Sequence, residues 1–198
     1  MTRELPNPET TNRPRYRHVV DSTPFGPVAL VWEQPRDAPR LVRVLLSRPG
    51  RSAEALVRVR YPNTKQRCCS GIERLAEQIA RLLNGAPLAF PLSWVALDAC
   101  STFQQQVLRA EHRIPRGHVS SYGRIAAELS RPGAARAVGR ALASNPFPLI
   151  VPCHRAVRSD GRLGGFQGGT EMKRALLEAE GVRIDAAGRV AVDAFCPP

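Results

Sequence analysis

The sequence predicts a mixed α/β (α+β) fold, and three observations predict it: short β-branched runs between Pro/Gly turns early in the chain, helically spaced apolar residues from Ile72, and a mainly helical second half. Residues 1–16 are rich in proline, asparagine and threonine, lack periodicity, and are expected to form a flexible tail. From Arg17 the texture changes. Residues 18–20, 28–32 and 41–46 read as strands of a small antiparallel sheet. Ile72, Leu75, Ile79, Leu82 and Leu83 follow i, i+3, i+4 spacing, so they predict an amphipathic helix that Asn84-Gly85 ends. Residues 92–97 read as a returning strand. Residues 17–97 are thus expected to form a small α/β domain, and they carry no recognisable chemical motif.

After Cys100 the chain turns helical. Phe103, Val107 and Leu108 share one face of a helix that Ser101 or Thr102 caps and residues 114–117 stop. Ser120 or Ser121 caps a second helix through Leu129, and a third, over residues 134–143, sets Val138 and Leu142 on one face and Arg136 and Arg140 elsewhere. This outline fits a helix-turn-helix. Any αα-hairpin shares it, so both readings stand on spacing alone. Asn145-Pro146 then makes a turn into residues 149–151, a buried-strand pattern, and into Cys153-His154-Arg155.

At 198 residues there is room for one large domain or two small ones. No apolar run approaches the roughly 18 to 20 residues that cross a bilayer, and the N-terminus lacks a signal-like apolar stretch. A soluble, cytoplasmic protein is expected. Five unevenly spaced cysteines argue for reduced thiols rather than a disulfide scaffold, and Cys68-Cys69 has no CxxC or histidine partner, so no metal site is expected. With 29 Lys+Arg against 17 Asp+Glu, the net charge of +12 favours a polyanionic partner, nucleic acid first among them.

Cys153 is the candidate reactive residue. A cysteine in an apolar run is ordinarily an inert core residue, which is the reading for Cys100 and Cys196. Beside Cys153, however, stand His154 and Arg155, groups that favour a thiolate and are costly to bury without a task.

Taken in order, residues 103–107, 114–117, 121–123, 136–139, Asn145-Pro146, 151–155, 165–169 and 173–180 resemble the DNA-binding domain of the O6-alkylguanine-DNA alkyltransferases, also called methylated-DNA–protein-cysteine methyltransferases. The resemblance is close over residues 97–182. It extends to the N-terminal half only in size and strand–helix order. It implies an alkyltransferase domain at 98–182, a C-terminal extension at 183–198, and single-turnover transfer of an alkyl group from O6 of guanine, with O4-alkylthymine as a second lesion. The partner it implies is double-stranded DNA containing alkylated guanine. The protein would act as a monomer, without cofactor, associated with the nucleoid through DNA.

By the same resemblance Cys153 is the nucleophile, His154 its base through a bound water, Glu180 the group that orients the imidazole, and Tyr122 the donor to the departing base. From the sequence alone Glu180 also reads as an exposed acid closing its helix, and Tyr122 as a core tyrosine. Arg136 would enter the base stack in place of the flipped nucleotide. Ala135, Ala137 and Gly139 let the helix approach the groove floor, and Ser121 and Arg140 contact DNA. Asn145 and Arg155 are expected to be structural, and Ala156, Phe166 and Gln167 to line the pocket. Phe166 stands where the family usually has tyrosine and Ala156 where valine is common, changes that would soften or widen the pocket. A DNA-damage binding protein that flags lesions without repairing them, and a regulator sensing alkylation through its helix-turn-helix, remain as alternatives. Retention of Cys-His-Arg weighs against the first, and the lack of room for a further metal-binding domain against the second.

Overall fold

The computed structural model describes residues 14–35 and 38–196. The expected tail therefore lies outside the described residues up to residue 13, while Arg15 and Tyr16, assigned to that tail, belong to the first strand. Strands β1 (Arg15–Val20), β2 (Val28–Glu33) and β3 (Arg40–Leu46) form an antiparallel meander. Helix α1 (Ala53–Arg60) and the short strand β4 (Lys65–Gln66) follow, β4 running parallel to β1 to give the order β3-β2-β1-β4.

Strand β2 is buried along its whole length because both faces of the sheet are covered. Its alternation explains how. Val28, Leu30 and Trp32 face the main core with Ile72, Leu75 and Ile79 of helix α2 (Ser70–Leu83), while Ala29 and Val31 meet Ala53, Leu56 and Val57 of α1. Each large aliphatic side chain so buried contributes roughly 1.5–3 kcal/mol. Ser52 accepts the Ala55 amide as N-cap of α1, and Gly85, at φ +91°, terminates α2 after Asn84 as its sequence implied.

Residues 92–97 differ from the expected strand. They form two single 3-10 turns, Leu92–Trp94 and Leu97–Ala99, with one bridge between Val95 and Leu41. Val95, Ala96 and Leu97 are buried as core side chains, and only one edge of β3 offers them a partner.

The remaining elements assemble the site. Helix α3 (Thr102–Arg113) is capped by Ser101 and ends before Pro115; strand β5 (Ser120–Ser121) leads into α4 (Tyr122–Glu128), and a turn carries the chain to α5 (Ala135–Ala143). Gln104 Nε2 donates to Ala141 O and Ser144 Oγ, both at 3.0 Å, and so fixes the C-terminus of α5 on α3. Strand β6 (Ala156–Val157) pairs in parallel with β5, and α6 (Thr170–Ala179) packs behind the turn that carries Cys153. Residues 183–196 fold back through bridges Arg162–Arg189 and Val119–Phe195. One cluster of buried apolar residues runs from Val20 to Leu176, so the sheet and the helices share a core. Among the described residues no helix is long and apolar enough to cross a membrane.

Candidate active site

Residues 149–151 form a turn rather than the expected strand. Leu149 is left-handed at φ +76°, a conformation that costs a bulky residue about 1–3 kcal/mol and persists only where its surroundings impose it. Asn145 imposes it. Fully buried, its Oδ1 accepts the Phe147 amide at 2.9 Å and its Nδ2 donates to Val151 O at 3.3 Å. The sheet grips the same turn, since Val44 N donates to Pro146 O at 2.8 Å. Cys153–Arg155 then form a single 3-10 turn that presents the thiol to a cavity of about 340 Å³.

Tyr122, Gly139, Phe166 and Gln167 share that cavity wall with Cys153. Ala156, expected beside them, is fully buried on β6 and does not line it. Gly164 carries the loop past Tyr122 at φ +69°, where a Cβ would stand 2.9 Å from the tyrosine hydroxyl, so the approach requires glycine. Burial, followed by the nearby Glu111 and Cys153 groups, holds the Tyr122 hydroxyl above its usual pKa. It remains a donor. Burial also pushes the Cys153 thiol up to about 12, opposed by the Asn145 amide, which favours the thiolate.

His154 is buried, and burial drives its pKa down despite the opposing pull of Glu180. The neutral imidazole therefore donates Nε2–H to Glu180 Oε1 at 3.0 Å and leaves a lone pair on Nδ1, which has no hydrogen-bond partner among the described residues. Glu180 is not the exposed acid of the alternative reading: its side chain is 2% exposed. Burial alone would raise its pKa, but bonds from His154 and Arg155 outweigh that and hold it at about 2. Arg155 grips it with Nε at 2.9 Å and Nη2 at 2.7 Å, and its Nη1 ties Ile114 O at 2.7 Å.

Sequence reasoning passed over a second buried carboxyl. Glu111 is fully buried with neither oxygen in a well-formed hydrogen bond among the described residues, and burial raises it to about 8, partly offset by Lys173, Arg155 and the Ala156 backbone amide. Lys173, also fully buried, donates to Ala156 O at 2.6 Å, and burial lowers it to about 8. The signal was available: Glu111 lies four residues after Val107, on the apolar face of α3.

On α5, Arg136 and Arg140 are exposed, while Ala135, Ala137 and Gly139 are half-buried. Ser121 is buried, its Oγ accepting the Arg124 amide as N-cap of α4. That hydroxyl is engaged in capping α4.

The family model of the 6-O-methylguanine DNA methyltransferase DNA-binding domain matches residues 102–182. A methylated-DNA–protein-cysteine methyltransferase of Methanothermobacter thermautotrophicus is 42% identical over 114 residues, 58% of this chain and 64% of that protein, so the match spans less than two thirds of that relative. The Salmonella typhimurium protein of the same name is 34% identical over 178 residues, covering 81% of this chain and 92% of its own length. A crystal structure of Mycobacterium tuberculosis OGT in complex with DNA superposes with a TM-score of 0.64 at 32% identity, covering 83% of this chain and 92% of that one. Motif, fold and near full-length likeness agree, and the chain belongs to the methylated-DNA–protein-cysteine methyltransferase family.

Proposed function

We propose that this protein repairs alkylated DNA directly, moving one alkyl group from O6 of guanine to Cys153 Sγ and keeping it. The observation that carries the reading is the thiol on a cavity wall next to a neutral histidine whose Nδ1 is unengaged by protein and whose Nε2 is anchored to Glu180. His154 Nδ1 takes the thiol proton through a bridging water as Sγ attacks the alkyl carbon. The S–C bond forms, the C–O6 bond breaks, and the departing guanine receives a proton through Tyr122. Because Cys153 rests as a thiol, its proton leaves only as the substrate arrives, which protects the group from adventitious oxidation. Glu180 orients the imidazole, and Arg155 holds Glu180.

The target atom lies inside a duplex, so the nucleotide rotates out into the cavity. Arg136, exposed on α5, takes the vacated place in the stack, and the small Ala135, Ala137 and Gly139 let the helix approach the groove closely. Arg140 contacts the backbone, and Phe166 and Gln167 bound the flipped base. The Mycobacterium tuberculosis complex supports DNA as the partner. A protein working on chromosomal lesions belongs with the nucleoid, in the cytoplasm, and one chain carries the whole site.

Titration with duplex carrying labelled O6-methylguanine is expected to transfer one methyl per chain and then stop. Continued turnover would overturn the proposal.

A further inference from the structure

Two groups of arginines differ in their partners. Arg40, Arg113, Arg162, Arg174 and Arg183 each meet an acidic side chain. Arg43 within β3, Arg48 just after it, Arg60 from α1 and Arg140 from α5 instead converge on one groove of about 370 Å³, and none of the four makes an ion pair among the described residues. The groove and the Cys153 cavity share Arg48, Ala143 and Gln167, so the two adjoin. Crowding like charges without an acid costs free energy that a bound anion returns, and the guanidinium fork matches a phosphate. The Arg60 guanidinium feels that crowding: burial first, then Arg43, Arg51 and Arg48, depress its pKa.

We infer that Arg43, Arg48, Arg60 and Arg140 form a phosphate-binding groove that holds the backbone of the DNA strand whose nucleotide occupies the Cys153 cavity. The inference rests on the DNA-repair reading and gives the N-terminal sheet and α1 a part in it. A nucleotide rotated into the cavity carries its flanking phosphates to the cavity mouth, where Arg48 stands, and the strand continues along the groove. Three of the four arginines come from the half of the chain that holds no chemical motif.

The test uses the full chain and the variants Arg48→Gln/Arg60→Gln and Arg48→Lys/Arg60→Lys, with Arg174→Gln as control. Arg48 and Arg60 are exposed, so folding is expected to survive, and unchanged thermal unfolding checks it. Binding to duplexes with and without O6-methylguanine is followed against salt concentration. For the lesion duplex, the Gln pair is expected to flatten the log–log salt slope by about 2, one per lost phosphate contact, and to weaken binding most at low salt. The Lys pair and the control keep the wild-type slope, and the undamaged duplex shows a smaller change. Wild-type binding and methyl uptake with an unchanged slope in the Gln pair would overturn this inference alone. So would an equal loss on both duplexes, which assigns the groove to duplex in general. A wild-type chain that neither binds nor takes up methyl overturns the repair reading and the inference with it.

Discussion

Two buried carboxyls near Cys153 have opposite fates. Glu180 receives one hydrogen bond from His154 and two from Arg155 and is a carboxylate down to about pH 2; Glu111 receives no well-formed bond from the described residues, only the weak pull of the Ala156 amide, and is held protonated up to about pH 8. Both are buried, so burial does not decide the charge. Donors do. Glu180 sits at the C-terminus of α6, where the helix dipole disfavours an anion, which makes the bidentate Arg155 indispensable to its charge. The charged carboxyl fixes the histidine tautomer, whereas the neutral one supplies no anion to compete for the thiol proton.

The largest effect is expected from breaking the satisfied side. Glu180→Gln leaves Arg155 without its counter-ion in a buried site, and denaturant unfolding is expected to register a loss of about 3–5 kcal/mol. His154→Gln keeps a polar side chain but removes the proposed base, and single-turnover methyl transfer is expected to slow about 10²- to 10⁴-fold. Asn145→Ala removes both bonds that impose the Leu149 turn and is expected to cost about 1–3 kcal/mol in unfolding while also slowing transfer, through displacement of Cys153.

The smallest effect belongs to Glu111→Gln, expected to change stability at pH 4 by less than about 1 kcal/mol because the amide resembles the neutral acid that the native state holds. Its signature is the pH profile. A carboxyl raised from 4.5 to about 8 on folding binds its proton more tightly in the native state, so its stability contribution is complete below 4.5 and is lost as pH rises through 8. Glu180, lowered from 4.5 to about 2, acts in the other window: its contribution is present above 4.5 and lost as pH falls toward 2. Lys173, which faces Glu111, contributes above pH 8, where its lowered pKa makes stability rise with pH toward 10.5. Unfolding curves from pH 2 to 8 should therefore lose their alkaline decline in Glu111→Gln and part of their acid decline in Glu180→Gln.

Periodicity made most of the scaffold legible. The alternating strands β1 to β3, the apolar face of α2, the serine-capped helices α3 and α4, and α5 lie where composition and spacing set them. Helix α1 left no such trace, because its Val-Arg-Val-Arg run alternates like a strand and only Ser52 marks a helix start. Residues 149–151 read as strand because apolar content cannot reveal a left-handed leucine held by a distant amide. In the site, the motif around Cys153 pointed to His154, and the family resemblance added Glu180 and Tyr122. Glu111 was hidden because acids are read as surface, and the arginine groove because its members are scattered between residues 43 and 140.

The central claim is that Cys153 is the alkyl acceptor. Intact mass spectrometry with peptide mapping after incubation with O6-methylguanine duplex tests it most directly. One added methyl, mapped to Cys153 and missing from Cys153→Ser, is the predicted result. A modified Cys68, Cys69, Cys100 or Cys196, or lesion binding that leaves the protein mass unchanged, would contradict it.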